Sequence, residues 1–254
     1  MSRALAFLYG IACYSIFFVT FLYTIGFVTD LVVPKSISSG TAGSVGTALL
    51  INLGLIALFG IQHSVMARPG FKRVWTRLVP TVVERATYVL LSSVALLALF
   101  AFWQPLPATL WSVDSPALFW ALKAVGISGF LVVLCSSFLI DHFDLFGLRQ
   151  VYLHLRGREY THHPFKTPGL YKKIRHPLYL GWLLAFWGTP VMTAGQMLFA
   201  VGLSAYIFIA IVFEERDLIA HFGDVYRQYR RETRMVLPLP VRKSGPAAAV
   251  SRAA

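Results

Sequence analysis

Five long stretches of this chain are free of charge or carry a single lysine, and they leave room for one kind of fold. They cover residues 4–29, 36–67, 86–113, 115–140 (with Lys123 near its start) and 178–213. About 20 apolar residues in a helix cross a bilayer. Only 13% of the chain is charged and 57% is hydrophobic. A soluble domain carries about 25% charged residues, so this chain lacks the polar surface to cover a globule. The apolar content also excludes a disordered chain. The expectation is an all-α, polytopic membrane helical bundle with five to six transmembrane segments. The first run is too long for the apolar part of a signal peptide and reads as a retained span. In the second run the helix is expected to begin near Thr41. Lys123 is expected to snorkel to the interface.

The fifth run is too long for one crossing, since a helix over 178–213 would measure about 54 Å. Gly188-Thr189-Pro190 and Gly195 mark a break. A C-terminal helical hairpin follows, whose first arm starts before the apolar run or does not fully cross. Four spans plus this hairpin bring all but Lys35 and Lys123 of the 23 basic residues to one side. The positive-inside rule makes that side cytoplasmic, with both termini on it. The net charge of +12 is thereby a topology signal, and no nucleic-acid partner is expected. From Asp217 to Arg231 apolar residues recur at helical spacing between arginines, which reads as a cytoplasmic amphipathic helix on anionic lipid. Such a helix can also cover a pocket. Residues 1–237 read as a single domain, with residues 238–254 a disordered tail. Cys13 and Cys135 lie in apolar runs and read as packed core residues. The chain carries no signal for an oligomeric state.

Ionisable residues at membrane depth are costly and mark function. Three groups stand out. Gln62-His63-Ser64 lies at the end of the second run. Asp141-His142, with Asp144, ends the fourth. Arg175-His176-Pro177-Leu178-Tyr179 precedes the hairpin, and Glu214-Glu215 leaves it. A hairpin brings Arg175 and His176 to face Glu214 and Glu215. Two readings stand: a salt-bridge cluster that pins the hairpin, or a site for a zwitterionic ligand, with Arg for a carboxylate and Glu for an ammonium or hydroxyls. His63, Asp141 and His142 are candidate proton acceptors or interhelical hydrogen-bonding groups. Asp144, His154, His162 and His221 read as loop residues. The histidines lack paired ligand spacing, so no metal site is expected. No glycine-rich turn follows a strand, which argues against a soluble dinucleotide-type methyltransferase fold.

The stretch 163–181, with Glu214-Glu215 and Phe222-Gly223-Asp224-Val225-Tyr226-Arg227-Gln228-Tyr229, resembles the isoprenylcysteine carboxyl methyltransferase superfamily. Those are helical membrane enzymes that bind S-adenosylmethionine at the cytoplasmic side and admit an apolar substrate. Gln62-His63-Ser64, Glu84-Arg85-Ala86-Thr87-Tyr88 and Asp141-His142-Phe143-Asp144-Leu145-Phe146-Gly147 are similar to motifs of the bacterial methanethiol S-methyltransferases. The first two also resemble NnrU-like proteins. The resemblance implies a bacterial inner-membrane enzyme that methylates a small apolar thiol with S-adenosylmethionine. Its cofactor part would span about 160–232. By matching position, His163, Lys166, Gly169, Leu170, Tyr171, Arg175, His176, Pro177, Tyr179, Glu214 and Glu215 are cofactor candidates. Pro177 fits a first helical turn whose N-terminus faces the cofactor carboxylate. Gly181 suits either close approach to the cofactor or tight helix packing. The alternatives are a larger lipid-like acceptor or a non-enzymatic NnrU-like protein.

Overall fold

The computed structural model describes residues 1–238, so the expected tail falls outside the described residues but for Pro238. Its helices are α1 (Arg3–Thr29), α2 (Val45–Ala67), α3 (Pro69–Trp75), α4 (Thr81–Phe102), α5 (Pro116–Ile140), α6 (His142–Leu145), α7 (Leu148–Leu155), α8 (Pro177–Trp187), α9 (Ala194–Phe222) and α10 (Asp224–Glu232). Short strands β1 (Thr109–Ser112) and β2 (Val191–Thr193) pair antiparallel. Five helices, α1, α2, α4, α5 and α9, are long and apolar enough to cross a membrane. Side chains such as Leu8, Val19, Leu50, Leu131 and Val212 cover their outer faces, as expected where lipid is the solvent.

Polar caps set where the helices begin. Ser2 and Ser44 accept from Leu5 N and Thr47 N, and Thr193 forms a capping box with Gln196. Prolines open α3, α5 and α8, where a missing N–H costs nothing. The second helix starts at Val45 rather than near Thr41, at the Ser44 cap. The third span departs more from expectation. It begins at Thr81, ahead of the charge-free run, and takes in Glu84 and Arg85. Glu84 is buried and its Oε2 lies 3.7 Å from Lys72 Nζ on α3. The span stops at Phe102 because Pro105 and Pro107 follow. Buried Asn52 of α2 holds that exit, donating to Gln104 O and accepting from Gln104 N, both at 2.8 Å.

The first hairpin arm does not cross. Helix α8 has 11 residues, about 16 Å, and residues 188–193 finish the passage to the end where β2 meets β1. Glycines let α8 lie against α5 at backbone distance. A Cβ on Gly129 would lie 2.5 Å from both Gly181 O and Ala185 N. A Cβ on Gly181 would lie 2.7 Å from Gly129 O. Gly181 therefore sits in the α5–α8 seam, a small-residue contact of the kind membrane helices use. The Nζ of Lys123 donates to Thr29 O, at the end of α1, at 3.1 Å.

Helix α9 is longer than its apolar run and carries Glu214, Glu215 and Asp217. The expected amphipathic helix is divided, because Gly223 at φ +59° ends α9 and starts α10. Asp144, His154 and His221, expected in loops, lie in helices: Asp144 in α6 and the histidines near the ends of α7 and α9. Cys13 is buried, but Cys135 faces outward from α5. The aromatic core (Phe21, Phe27, Phe100, Trp103, Phe130, Phe199) lies between the spans. Arg3 of α1 approaches Gly157, just after α7. The start of α1, the end of α5, the start of α8 and the end of α9 thus share one basic end of the bundle.

The glycine seam yields a prediction. Gly129→Ala puts a methyl group into main-chain atoms that cannot retreat. It should destabilise the protein by about 1–3 kcal/mol, read as a lower thermal midpoint in detergent; an unchanged midpoint would show that the seam yields.

Candidate active site at the basic end

Helices α8 and α9 are locked where they meet. Glu215 Oε1 accepts from Arg175 Nε at 2.6 Å and lies 3.1 Å from His176 Nε2. Its Oε2 lies 3.8 Å from Arg230 Nη1 of α10. Arg175 Nη1 also donates to the carbonyls of Thr233 and Arg230. The backbone joins in: Arg175 N donates to Arg234 O at 2.8 Å and His176 N to Met235 O at 3.0 Å. Both side chains of the Arg175–Glu215 pair are 11% exposed. Arg175, His176 and Glu215 therefore pin the hairpin to α10 and to the segment after it, and His176 Nδ1 also lies 3.9 Å from Glu214 Oε2.

Glu214 differs. Its side chain is 43% exposed, and its Oε2 accepts from Tyr179 Oη at 2.9 Å. Its charge also bears on Tyr171. Tyr171 lies outside the spans, and burial first, then the Glu214 charge, raises its phenol above its ordinary range. One carboxylate among tyrosine rings is an environment for a cation.

His63 stands beside this cluster. Its Nε2 lies 2.8 Å from Tyr88 Oη and its Nδ1 3.0 Å from Ser92 Oγ. Its ring packs on Phe59, Tyr88 and Tyr206. Arg85 stacks over Tyr88, its carbon 5.0 Å from the ring centre. Arg68 ties the end of α2 to α9 through Asp217 at 2.8 Å.

The remaining candidates lie elsewhere at this end. His163 Nε2 is 2.7 Å from Asp141 Oδ2, which holds the loop before residue 169 to the end of α5. Tyr171 reaches Ser136 O at 3.4 Å and accepts, through its carbonyl, from Tyr229 Oη at 2.6 Å. Burial, opposed by Arg175 and aided by Glu215, pushes the Tyr229 phenol up to about 12. Gly169, at φ +52°, and Leu170 border an apolar groove with Leu134, Cys135, Phe138 and Leu139. Pro177 opens α8, as expected, and Lys166 is exposed. His142 is buried between Tyr14 Oη and Ser137 Oγ, both at 2.8 Å, and stacks on Phe138. It does not join His63.

Across the whole chain the likeness to known proteins is close. A methanethiol S-methyltransferase from Mycobacterium tuberculosis is 54% identical over 242 residues, covering 95% of this chain and 99% of that relative. The chain belongs to the methanethiol S-methyltransferase family. Methanethiol S-methyltransferase 1 from Bradyrhizobium diazoefficiens is 56% identical over 236 residues, covering 93% of this chain and 83% of that relative. Nurim from Xenopus laevis is 30% identical over 175 residues, or 66% of this chain. No family model matches the chain, and no solved structure does. The protein is thus a membrane methyltransferase.

Sequence reasoning passed over Tyr88, Ser92 and Tyr206 as site residues. Tyr88 and Ser92 are four apart on α4, and Tyr206 and Glu214 are eight apart on α9. Each pair therefore shares a helix face, which was the available signal.

Two outcomes are expected. Glu215→Ala strands Arg175 and His176, and removing one partner of a buried pair costs about 3–5 kcal/mol. Limited trypsin digestion should then cut at Arg230 and Arg231 much faster than in the unaltered protein, whereas Glu214→Ala should leave the digestion rate unchanged. For His142, burial lowers the pKa below its ordinary 6.5, against a smaller opposing effect of Asp141. The unfolded chain then binds the proton that the folded one refuses, so stability is full above pH 6.5 and falls as pH drops below it. Thermal midpoints measured between about pH 7 and 5 should fall more steeply for the unaltered protein than for His142→Gln.

Proposed function

We propose that this protein transfers a methyl group from S-adenosylmethionine to methanethiol, giving dimethyl sulfide, at the cluster around Glu214, Tyr179 and His63. The observation that carries this reading is the 54% identity along nearly the full length of a relative named for that reaction. The basic end of the bundle is read as cytoplasmic by the positive-inside rule, with both termini there and the bundle in a bacterial inner membrane.

The residues present fit the donor. S-adenosylmethionine as substrate supplies an electrophilic methyl carbon on a positively charged sulfur. Half-exposed Glu214 and the Tyr179 ring bonded to it suit that charge through Coulomb and cation–π attraction. Among the described residues, Gln62 Oε1 and Glu84 Oε1 are buried acceptors without a hydrogen-bond partner, which suits a ligand carrying donors. Arg175, His176 and Glu215 act by holding α8 and α9 so that Tyr179 meets Glu214. The 163–181 segment, with Asp141 fixing His163, closes the site on the loop side.

Thiol methylation asks little else of a protein. The thiolate is the nucleophile, and an alkyl thiol is mostly protonated near neutral pH. The protein must align sulfur with the methyl carbon, exclude water and accept one proton. His63 is the base within reach of the cluster.

The test is purified protein in detergent with S-adenosylmethionine and methanethiol, and headspace detection of dimethyl sulfide. Product is expected from the unaltered protein. His63→Ala should lower turnover by about 10²–10⁴-fold while S-adenosylhomocysteine still binds in a calorimetric titration. Asp141→Asn should likewise keep binding. Glu214→Ala and Arg175→Ala should lose it. Intact binding without product would overturn methanethiol in favour of a larger acceptor.

A further inference from the structure

Ser92 decides how His63 is protonated. Its hydroxyl donates to Tyr88 O at 2.9 Å, so its proton is already committed. The 3.0 Å contact with His63 Nδ1 is then an Nδ1–H donating to Ser92 Oγ. A neutral imidazole protonated at Nδ1 has a bare lone pair at Nε2. Tyr88 Oη, 2.8 Å away, donates into that lone pair. The hydrogen-bond network thus assigns one tautomer and aims the Tyr88 proton at a base. The Tyr88 oxygen keeps its lone pairs for whatever stands on its other side.

What stands around it is the candidate site. Arg85 packs over the Tyr88 ring at 5.0 Å, and the His63 ring that Tyr88 meets also packs edge-on against Tyr206 of α9 at 6.3 Å. The molecule also contains a twin that lacks these surroundings. Ser137 Oγ donates to Leu134 O at 2.7 Å, His142 Nδ1 lies 2.8 Å from that oxygen, and Tyr14 Oη lies 2.8 Å from Nε2. The same chain of bonds follows, but the His142 ring packs against Phe138, Phe143 and Phe146. Its charged neighbour is Asp141. The His142 ring is enclosed by phenylalanines, whereas the His63 triplet meets Tyr206 of α9 and Arg85.

We propose that Tyr88 is a catalytic residue that takes the thiol proton on its oxygen while its own proton passes to His63 Nε2, with Ser92 a positioning residue that holds the tautomer. This rests on the thiol-methylation reading. The S–H bond of the acceptor breaks and its electron pair forms the new bond to the methyl carbon. The bond from that carbon to the donor sulfur breaks, and its pair stays on that sulfur. The donor loses its positive charge as the imidazole gains one, so the net charge of the pocket is unchanged. In a water-poor site that conservation avoids creating a new uncompensated charge. The proton later leaves His63 to solvent.

The test compares the unaltered protein with Tyr88→Phe, Ser92→Ala and, as control, Tyr14→Phe. Thermal midpoint and S-adenosylhomocysteine affinity are measured first, and both should match the unaltered protein in Tyr88→Phe. Nitrogen-15 spectra of the His63 ring, assigned through His63→Gln, should show Nδ1 protonated and Nε2 bare in the unaltered protein. They should show mixed tautomers in Ser92→Ala. At neutral pH Tyr88→Phe should lose about 10²–10⁴-fold in kcat. That deficit should shrink as pH rises and solvent ionises the thiol. Ser92→Ala should lose less, in kcat rather than KM. Tyr14→Phe should keep its pH profile. A protonated Nε2, or a Tyr88→Phe deficit equal at every pH, would overturn the relay while leaving the methylation reading standing. An unaltered protein that binds S-adenosylhomocysteine but yields no dimethyl sulfide would overturn that reading and the relay with it.

Discussion

The buried carboxylate of Glu215 organises the basic end of this bundle. A charge at that depth persists only when it is paired and hydrogen-bonded, and Arg175, His176 and Arg230 converge on it. Those three residues come from the entrance of α8 and from α10, so satisfying one carboxylate joins three segments. The backbone bonds from Arg175 and His176 to Arg234 and Met235 add a fourth. The rest of the site inherits its placement from this knot, because Tyr179 rides on the helix that Arg175 and His176 begin.

Adjacent glutamates then divide the work. Glu215 points into the knot, whereas Glu214, one position earlier on α9, is 43% exposed and accepts from Tyr179. A helix turns about 100° per residue, so the two carboxylates diverge, and of the knot only His176 meets both, Nε2 at 3.1 Å from Glu215 and Nδ1 at 3.9 Å from Glu214. An exposed carboxylate and a buried one are separated by one step of a helix. The opposite wall comes from α2 and α4, whose ends are braced by Arg68–Asp217 and Lys72–Glu84.

The spans and the hairpin were legible because charge-free runs and a Gly-Thr-Pro break report directly on the bilayer constraint. The start of α4 was not, because Glu84 and Arg85 look like loop residues until Lys72 and the carbonyl of Leu145 are seen to receive them. Splitting the last amphipathic helix required the backbone of Gly223, since apolar spacing continues across it. At the site, the meeting of Arg175 and His176 with Glu214 and Glu215 followed from hairpin closure alone. That Arg175 is occupied by Glu215 and by backbone carbonyls did not, because those carbonyls lie more than 50 residues away in sequence. Tyr88, Ser92 and Tyr206 escaped because hydroxyls inside apolar runs read as ordinary helix residues until a tertiary partner gives them direction.

The half-length α8 has a mechanical consequence. In the half of the bundle nearer the basic end, six helical segments stand side by side. In the other half the place of the sixth is taken by the non-helical residues 188–193, held by a two-stranded pairing and a glycine contact with α5. The bundle is therefore a stiff cup on a softer stem. The basic end resists distortion through ion pairs and main-chain bonds, whereas the stem rests on that pairing and that glycine contact.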